Sequence, residues 1–214
     1  MTTRKLTATD HFIMGLDQAL NTVFGKPDVT ERDDPAAGIN NDELTEAERV
    51  LSGRLMRINH VGEVAAQALY QGQALTAKLP EVREKMERAA QEENDHLAWC
   101  ESRIDDLDTH KSVLNPLWFV GSFAIGSLAG LAGDRWSLGF VAETEHQVVS
   151  HLGGHLQRLP QADHKSRAVL EQMREDEDRH ATVALKAGAA ELPEPIKRLM
   201  VLTSKVMTRT VYWI

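Results

Sequence analysis

Two stripes of this sequence that should close a helical core are each interrupted by a glutamate and a histidine. Starting at Val82, steps of three and four residues lead through Met86 and Ala89 to Glu93 and His96, then on to Cys100, Ile104 and Leu107. The pattern recurs as Leu170, Met173, Glu177, His180, Ala184 and Ala187. Glu145 interrupts Leu138, Val141, Val148, Leu152 and Leu159, and Glu63 shares a face with Met56, Ala66, Tyr70 and Ala77. A lone ionised carboxylate in an apolar core costs several kcal/mol, or shifts its pKa until it is neutral. Four converging on one core call for cations. Two divalent ions balance four carboxylates, and two neutral imidazoles complete the donor set. Residues three apart lie close together around a helix, so each Glu-x-x-His can grip one ion. Mixed carboxylate and imidazole donors suit iron or manganese, and the lack of clustered cysteines speaks against structural zinc. Each copy alone reads as a solvated pair; two copies on apolar stripes, each preceded by a core-facing glutamate, predict a di-metal carboxylate site.

The punctuation of the chain supports the same architecture. Thr45 and Glu48 form a capping box that opens a helix reaching about Lys78. Leu79-Pro80 breaks the pattern before a second helix from Glu81 to about Asp108. A third begins near Trp136 and ends at Leu159-Pro160, a fourth runs from about Ala162 to Ala190, and a fifth covers Ile196 to Ile214. A duplicated helical hairpin joined by a long crossover predicts an all-α, ferritin-like four-helix bundle over residues 45–214, with an extra C-terminal helix. Residues 1–44 hold a short amphipathic helix at 10–24 and a linker at 26–43 with Pro27, Pro35 and Gly38. Ser112 to Gly133 carries no charge. Asn115, Pro116 and its glycines make that stretch a poor bilayer span, so it is expected to lie in one leaflet, with a purely internal crossover as the alternative. Trp118 and Phe119 would be its anchors, and Gly126, Gly130 and Gly133 would allow close approach of a ring or helix. Phe12, Ile13, Leu16 and Leu20 would assist from the N-terminal helix.

Composition narrows the function classes. A chain of 214 residues with 42% apolar content forms one domain with a sizeable core. The net charge of −8 argues against nucleic-acid binding. The single Cys100 excludes an internal disulfide and suits a reducing compartment. The first twenty residues lack the apolar run of a secretory signal. With 5% aromatic residues and few β-branched runs, an all-β fold is not expected.

Five segments are similar to one known family. Arg57-Ile-Asn-His-Val-Gly-Glu63, Tyr70-Gln-Gly-Gln73, Glu92-Glu-Asn-Asp-His96-Leu97, Val141-Ala-Glu-Thr-Glu145 with His151 six residues on, and Asp176-Glu-Asp-Arg-His180 resemble the demethoxyubiquinone hydroxylases. These are di-iron monooxygenases of ubiquinone biosynthesis, and the resemblance covers about residues 45–214. One departure is Gly153-Gly154 after His151-Leu152, where the family usually shows a tyrosine after the histidine. The resemblance implies that Glu63, Glu93, His96, Glu145, Glu177 and His180 are metal ligands for two Fe2+ ions per chain. It further implies a prenylated benzoquinol substrate, dioxygen as co-substrate, and an external electron donor that the sequence does not identify. The enzyme is expected as a peripheral membrane protein at the cytoplasmic face of the cell membrane, with homo-oligomerisation left open. Iron storage and a radical-generating reductase subunit are the competing classes; the uncharged crossover speaks against the first, and the presence of only Tyr70 and Tyr212 against the second.

Other polar residues near the stripes have weaker signals. His60 is expected to hydrogen-bond behind the ligands rather than join them, and His151 and His155 to support the ligands from behind or sit in a polar core rather than form a metal pair. Tyr70 is expected to pack in a pocket and Cys100 to act as a small apolar residue. Asp176 and Arg179 either support the ligands from behind or are solvated.

Overall fold

The computed structural model describes residues 7–27, 31–40 and 43–214, without the side chains of 8, 9, 11 and 12; the expected role of Phe12 falls on one of these. Among the described residues there are seven helices and no strand: α1 (Ala8–Phe24), α2 (Glu46–Thr76), α3 (Pro80–Asp106), α4 (Asn115–Leu131), α5 (Asp134–Arg158), α6 (His164–Lys186) and α7 (Glu194–Val211). The two hairpins α2–α3 and α5–α6 pack into a four-helix bundle, α4 lies along α2 as the crossover, and α7 closes on α2 and α5.

The capping box at Thr45 forms as expected, with the Glu48 carboxylate accepting from the Thr45 amide at 2.9 Å. A second capping box, from Thr7 to Asp10, starts α1 two residues earlier than its apolar periodicity suggests. Pro80 and Pro195 sit in the first turns of α3 and α7, where a missing N–H removes no helical bond.

The ligand-bearing helices share one register. At one end of the bundle Leu55, Met56, Trp99, Cys100, Ile104, Leu152, Leu170 and Met173 form an apolar cluster. At the other, Tyr70, Val82, Met86, Ala90, Leu138, Val141 and Ala184 form a second. Every one of the four helices runs from one cluster to the other. The stretch between them carries Glu63 on α2, Glu93 and His96 on α3, Glu145 on α5, and Glu177 and His180 on α6.

The uncharged crossover is a regular helix of 17 residues, with Pro116 in its first turn. Gly126 and Gly130 face α2. A Cβ on Gly126 would run into the carbonyl oxygen of Leu69, one on Gly130 into the Thr76 side chain, and one on Gly72 of α2 into the carbonyl oxygen of Phe123. These positions therefore let two backbones touch, and the close approach is to a helix rather than a ring. Phe119 is buried with Val64, Ala68 and Leu97, and Trp118 packs against Ile58, Val61 and Val211. Neither is the exposed anchor that the sequence suggested, because both lie on the face that α4 turns to the bundle. The exposed large apolar side chains of α4 are Leu117, Val120, Ile125, Leu128 and Leu131. No helix among the described residues is long and apolar enough to cross a membrane.

The 31–40 part of the linker is non-helical as expected, yet it is fastened to the bundle. The Glu31 amide donates to Asp95 at 3.0 Å, and Arg32 bonds both Asp95 of α3 and Asp176 of α6.

Candidate metal centre

The six residues singled out by their stripes come together in the middle of the bundle, and all six are buried. Glu63, Glu93, His96 and Glu177 present ligand atoms that all lie within 4.8 Å of one another. His96 Nδ1 stands 2.9 Å from Glu93 Oε2, 3.2 Å from Glu177 Oε1 and 3.6 Å from Glu63 Oε2. His180 faces the same two helical glutamates, its Nδ1 lying 3.0 Å from Glu177 Oε2 and 3.2 Å from Glu93 Oε1. Glu93 and Glu177 thus lie between the two imidazoles. Glu145 completes the layer from α5 and accepts a short hydrogen bond from the Tyr70 hydroxyl.

Behind each imidazole is an acid from the opposite hairpin. His96 Nε2 lies 3.0 Å from Asp176 Oδ2, and His180 Nε2 lies 2.6 Å from Glu92 Oε2. Asp176 immediately precedes Glu177, and Glu92 immediately precedes Glu93, so one relation is repeated in both halves. Fixing one ring nitrogen to a carboxylate aims the other at the centre and raises its basicity. Two arginines brace these acids. Arg179 reaches Glu92 at 3.1 Å and Asp176 at 2.9 Å. Arg32 reaches Asp176 at 2.6 Å and Asp95 at 2.8 Å, and its guanidinium stacks 4.8 Å from the Trp99 ring.

The electrostatics are those of a crowded acidic layer. Burial, reinforced by the neighbouring carboxylates, pushes Glu63 and Glu145 well above the usual carboxylate range. Burial acts the same way on Glu93, but the His96 and His180 charges outweigh it and hold Glu93 below that range. Burial would lower both imidazoles; the acids around His96 and His180 outweigh it and push both up. The Tyr70 hydroxyl is pushed well above its ordinary value by burial and by Glu145. Glu92 is held at about 2 chiefly by its bond to His180, and Asp176 at about 2 because His96 and Arg32 outweigh its burial. Protons on Glu63, Glu145, His96 and His180 therefore do in this state what cations do in a metal site.

These residues fit a pair of divalent ions. Buried Glu93 Oε1 lies 3.2 Å from His180 Nδ1 without a well-aligned hydrogen bond, which leaves its lone pairs open to a cation. The donors are carboxylate oxygen and imidazole nitrogen alone, since the Cys100 thiol is directed to Met173 Sδ at 3.8 Å. That set suits iron or manganese over softer ions.

The flanking residues sort themselves clearly. His60 does not join the cluster; its Nε2 stands 4.0 Å from Glu101. His155 Nδ1 lies 2.8 Å from Asn59 Oδ1 and its ring lies 3.9 Å from that of His151, a polar-core pair rather than metal ligands. Tyr70 packs in the second apolar cluster and donates to Glu145. Asp176, which the sequence left between a supporting and a solvated role, is buried behind His96. Glu92, Asp95 and Arg32 were not anticipated. The doubled acids Glu92-Glu93 and Asp176-Glu177 are a signal that could have found Glu92; nothing local marks Arg32.

Comparison with known proteins agrees with this arrangement. The family described as "Ubiquinone biosynthesis protein COQ7" matches residues 50–211. The protein named 3-demethoxyubiquinol 3-hydroxylase from Nitrosococcus oceani is 64% identical over 211 residues, covering 99% of each chain. Proteins of the same name from Nitrosospira multiformis and Nitrosomonas europaea are 57% and 54% identical over 205 residues, covering 96% of this chain and 98% of theirs. A family match across the whole bundle, with relatives this similar from end to end, means that the chain belongs to the COQ7 family of ubiquinone biosynthesis proteins.

Proposed function

We propose that this chain is a demethoxyubiquinol hydroxylase, a monooxygenase that places one atom of dioxygen on the unsubstituted ring carbon of 2-polyprenyl-3-methyl-6-methoxy-1,4-benzoquinol. The observation that carries the reading is the buried layer of four glutamates and two histidines in a chain whose relatives bear that enzyme's name. Two iron ions would be held by Glu63, Glu93 and His96 with Glu145, Glu177 and His180, Glu93 and Glu177 lying between the halves. When bound, they supply ferrous electrons and Lewis acidity for dioxygen chemistry. The other oxygen atom leaves as water, which consumes two protons and two electrons from an external donor.

The chain's own part is geometric and electrostatic. Asp176 and Glu92 hold the two imidazoles with Nδ1 inward. Tyr70 donates to Glu145 and restrains its carboxylate, and the apolar clusters on both sides keep bulk water from the reacting groups. A polyprenyl tail stays in the bilayer, so the enzyme would work as a peripheral protein at the cytoplasmic face of the membrane. Exposed apolar side chains on α1 (Ile13, Leu16, Leu20), α4 (Leu117, Val120, Leu128) and α7 (Leu199, Leu202) support that placement.

The test is anaerobic loading with ferrous iron, then oxygen with and without a short-chain demethoxyquinol. Hydroxylated product that appears only with the quinol, at two irons per chain, is expected. Ferric mineral formed without the quinol would replace this reading with iron storage.

A further inference from the structure

Where the C-terminal halves of α5 and α7 meet, a cavity of about 400 Å3 opens, lined by none of the six candidate ligands. His151, His155 and Arg158 line it from α5, and Arg209, Tyr212 and Trp213 from α7 and its end; no carboxylate belongs to the lining. Arg54 of α2 adds to the aromatic wall, its guanidinium 4.6 Å from the Trp213 ring and 5.0 Å from that of Tyr212. Arg158 approaches the Tyr212 ring at 5.9 Å.

In a chain of net charge −8 the described arginines divide into those paired with acids and those without an acidic partner. Arg32, Arg49, Arg88, Arg103 and Arg179 are each paired with acids. Among the described residues, no carboxylate pairs with Arg54, Arg158 or Arg209; aromatic rings hold Arg54 and Arg158 instead. Stacking occupies the face of a guanidinium and leaves the N–H donors on its edge unspent. The C-termini of α5 and α7 account for part of the positive charge, but two helix ends of about half a charge each do not offset three guanidinium groups. Burial and the Arg158 charge hold His151 at about 4, and burial with His151 and Arg158 holds His155 at about 2.

We infer that this cavity binds a phosphate group, borne either by a soluble ligand or by a lipid headgroup. Arg158 and Arg209 approach from two walls, an arrangement suited to the several oxygens of a phosphate, and guanidinium edges match those oxygens in pairs. The Tyr212 and Trp213 rings offer an apolar surface to whatever the phosphate is attached to. The inference does not depend on the metal centre or on the hydroxylase reading.

The full chain is titrated by calorimetry with inorganic phosphate and with adenosine monophosphate. In parallel it is sedimented with phosphatidylcholine vesicles, with and without phosphatidic acid. Arg158→Gln combined with Arg209→Gln is compared with Lys85→Gln combined with Arg174→Gln, which removes equal charge from exposed positions outside the cavity. Saturable binding of a soluble phosphate, weakened roughly tenfold or more by the first pair and unchanged by the second, supports a soluble source. Binding confined to phosphatidic acid vesicles, with the same dependence, supports a headgroup. No binding in either arm, or equal effects of the two pairs, overturns the inference. If the first pair lowers helix content, Arg209→Gln alone, on the exposed face of α7, makes the same comparison at smaller magnitude.

Discussion

Asp176 and Glu92 touch no candidate ion position, yet each decides which nitrogen its histidine can offer. Asp176→Asn keeps the shape behind His96 and removes the charge. Iron affinity should fall about 10–100-fold, read by competition with a chelator. Glu177→Ala should remove iron and hydroxylation together, whereas Glu171→Ala, exposed on the same helix, should change neither. Wild-type iron content in the Glu177 variant would end the ligand assignment. The protons of the metal-free layer make a second expectation. Glu63, Glu145, His96 and His180 all titrate higher in the folded chain than in the unfolded one, so their contribution is complete at low pH and is lost as pH rises through the folded values. For the two histidines the loss starts above about pH 6.5, at up to roughly 1.4 kcal/mol per pH unit each. Below that pH the sign reverses. His60, His151 and His155 are held neutral, at about 3, 4 and 2, so their contribution is present above the unfolded value and is lost on acidification. The apo-protein should therefore be most stable near pH 6.5, and urea midpoints should fall toward pH 8.5. Ferrous iron displaces those protons and should abolish the alkaline loss. A flat apo profile between those two pH values would contradict the buried acidic layer.

The crossover α4 depends on what its glycines lack. Gly126→Leu must force α4 away from the Leu69 carbonyl, and denaturant unfolding should show a loss of about 1–3 kcal/mol or more. Gly121 lies on the same helix with open space around it, so Gly121→Ala should stabilise by about 0.5–1 kcal/mol. Equal effects would mean that the α2–α4 contact is not backbone to backbone. This contrast also explains which parts of the fold were legible in the sequence. Helices α2, α3, α5 and α6 announce themselves through Leu-Pro breaks, a capping box and apolar stripes, and the stripes carry all six central residues. The orientation of α4 was hidden because its outer face is as apolar as its inner one, so periodicity could not show that Phe119 points inward. Arg32 was hidden for another reason. Its partners Asp95 and Asp176 lie 63 and 144 residues away, and ionic contacts at that range leave no local pattern.

Taken as a body, the protein displays apolar side chains on α1, α4 and α7 while its charge is strongly negative. Membrane contact of the proposed kind should then rest on Leu117 and Leu128 rather than on Trp118 and Phe119. Changing both leucines to aspartate should release the chain from liposomes, leave iron content intact, and reduce turnover of a long-tailed quinol more than that of a soluble analogue. Phe119→Asp should instead unfold part of the bundle, because its ring is packed against Val64 and Leu97. Retention of the leucine variant on liposomes would move the contact to another face. The crossed support of the two histidines has its own outcome. Asp176 stands on one hairpin and steadies the imidazole of the other, and Glu92 returns the arrangement. Neither hairpin owns a finished half of the centre, so seating the first ion organises the berth for the second. Occupancy should be cooperative. Native mass spectrometry at substoichiometric iron should find empty and doubly filled chains, with few that carry one ion.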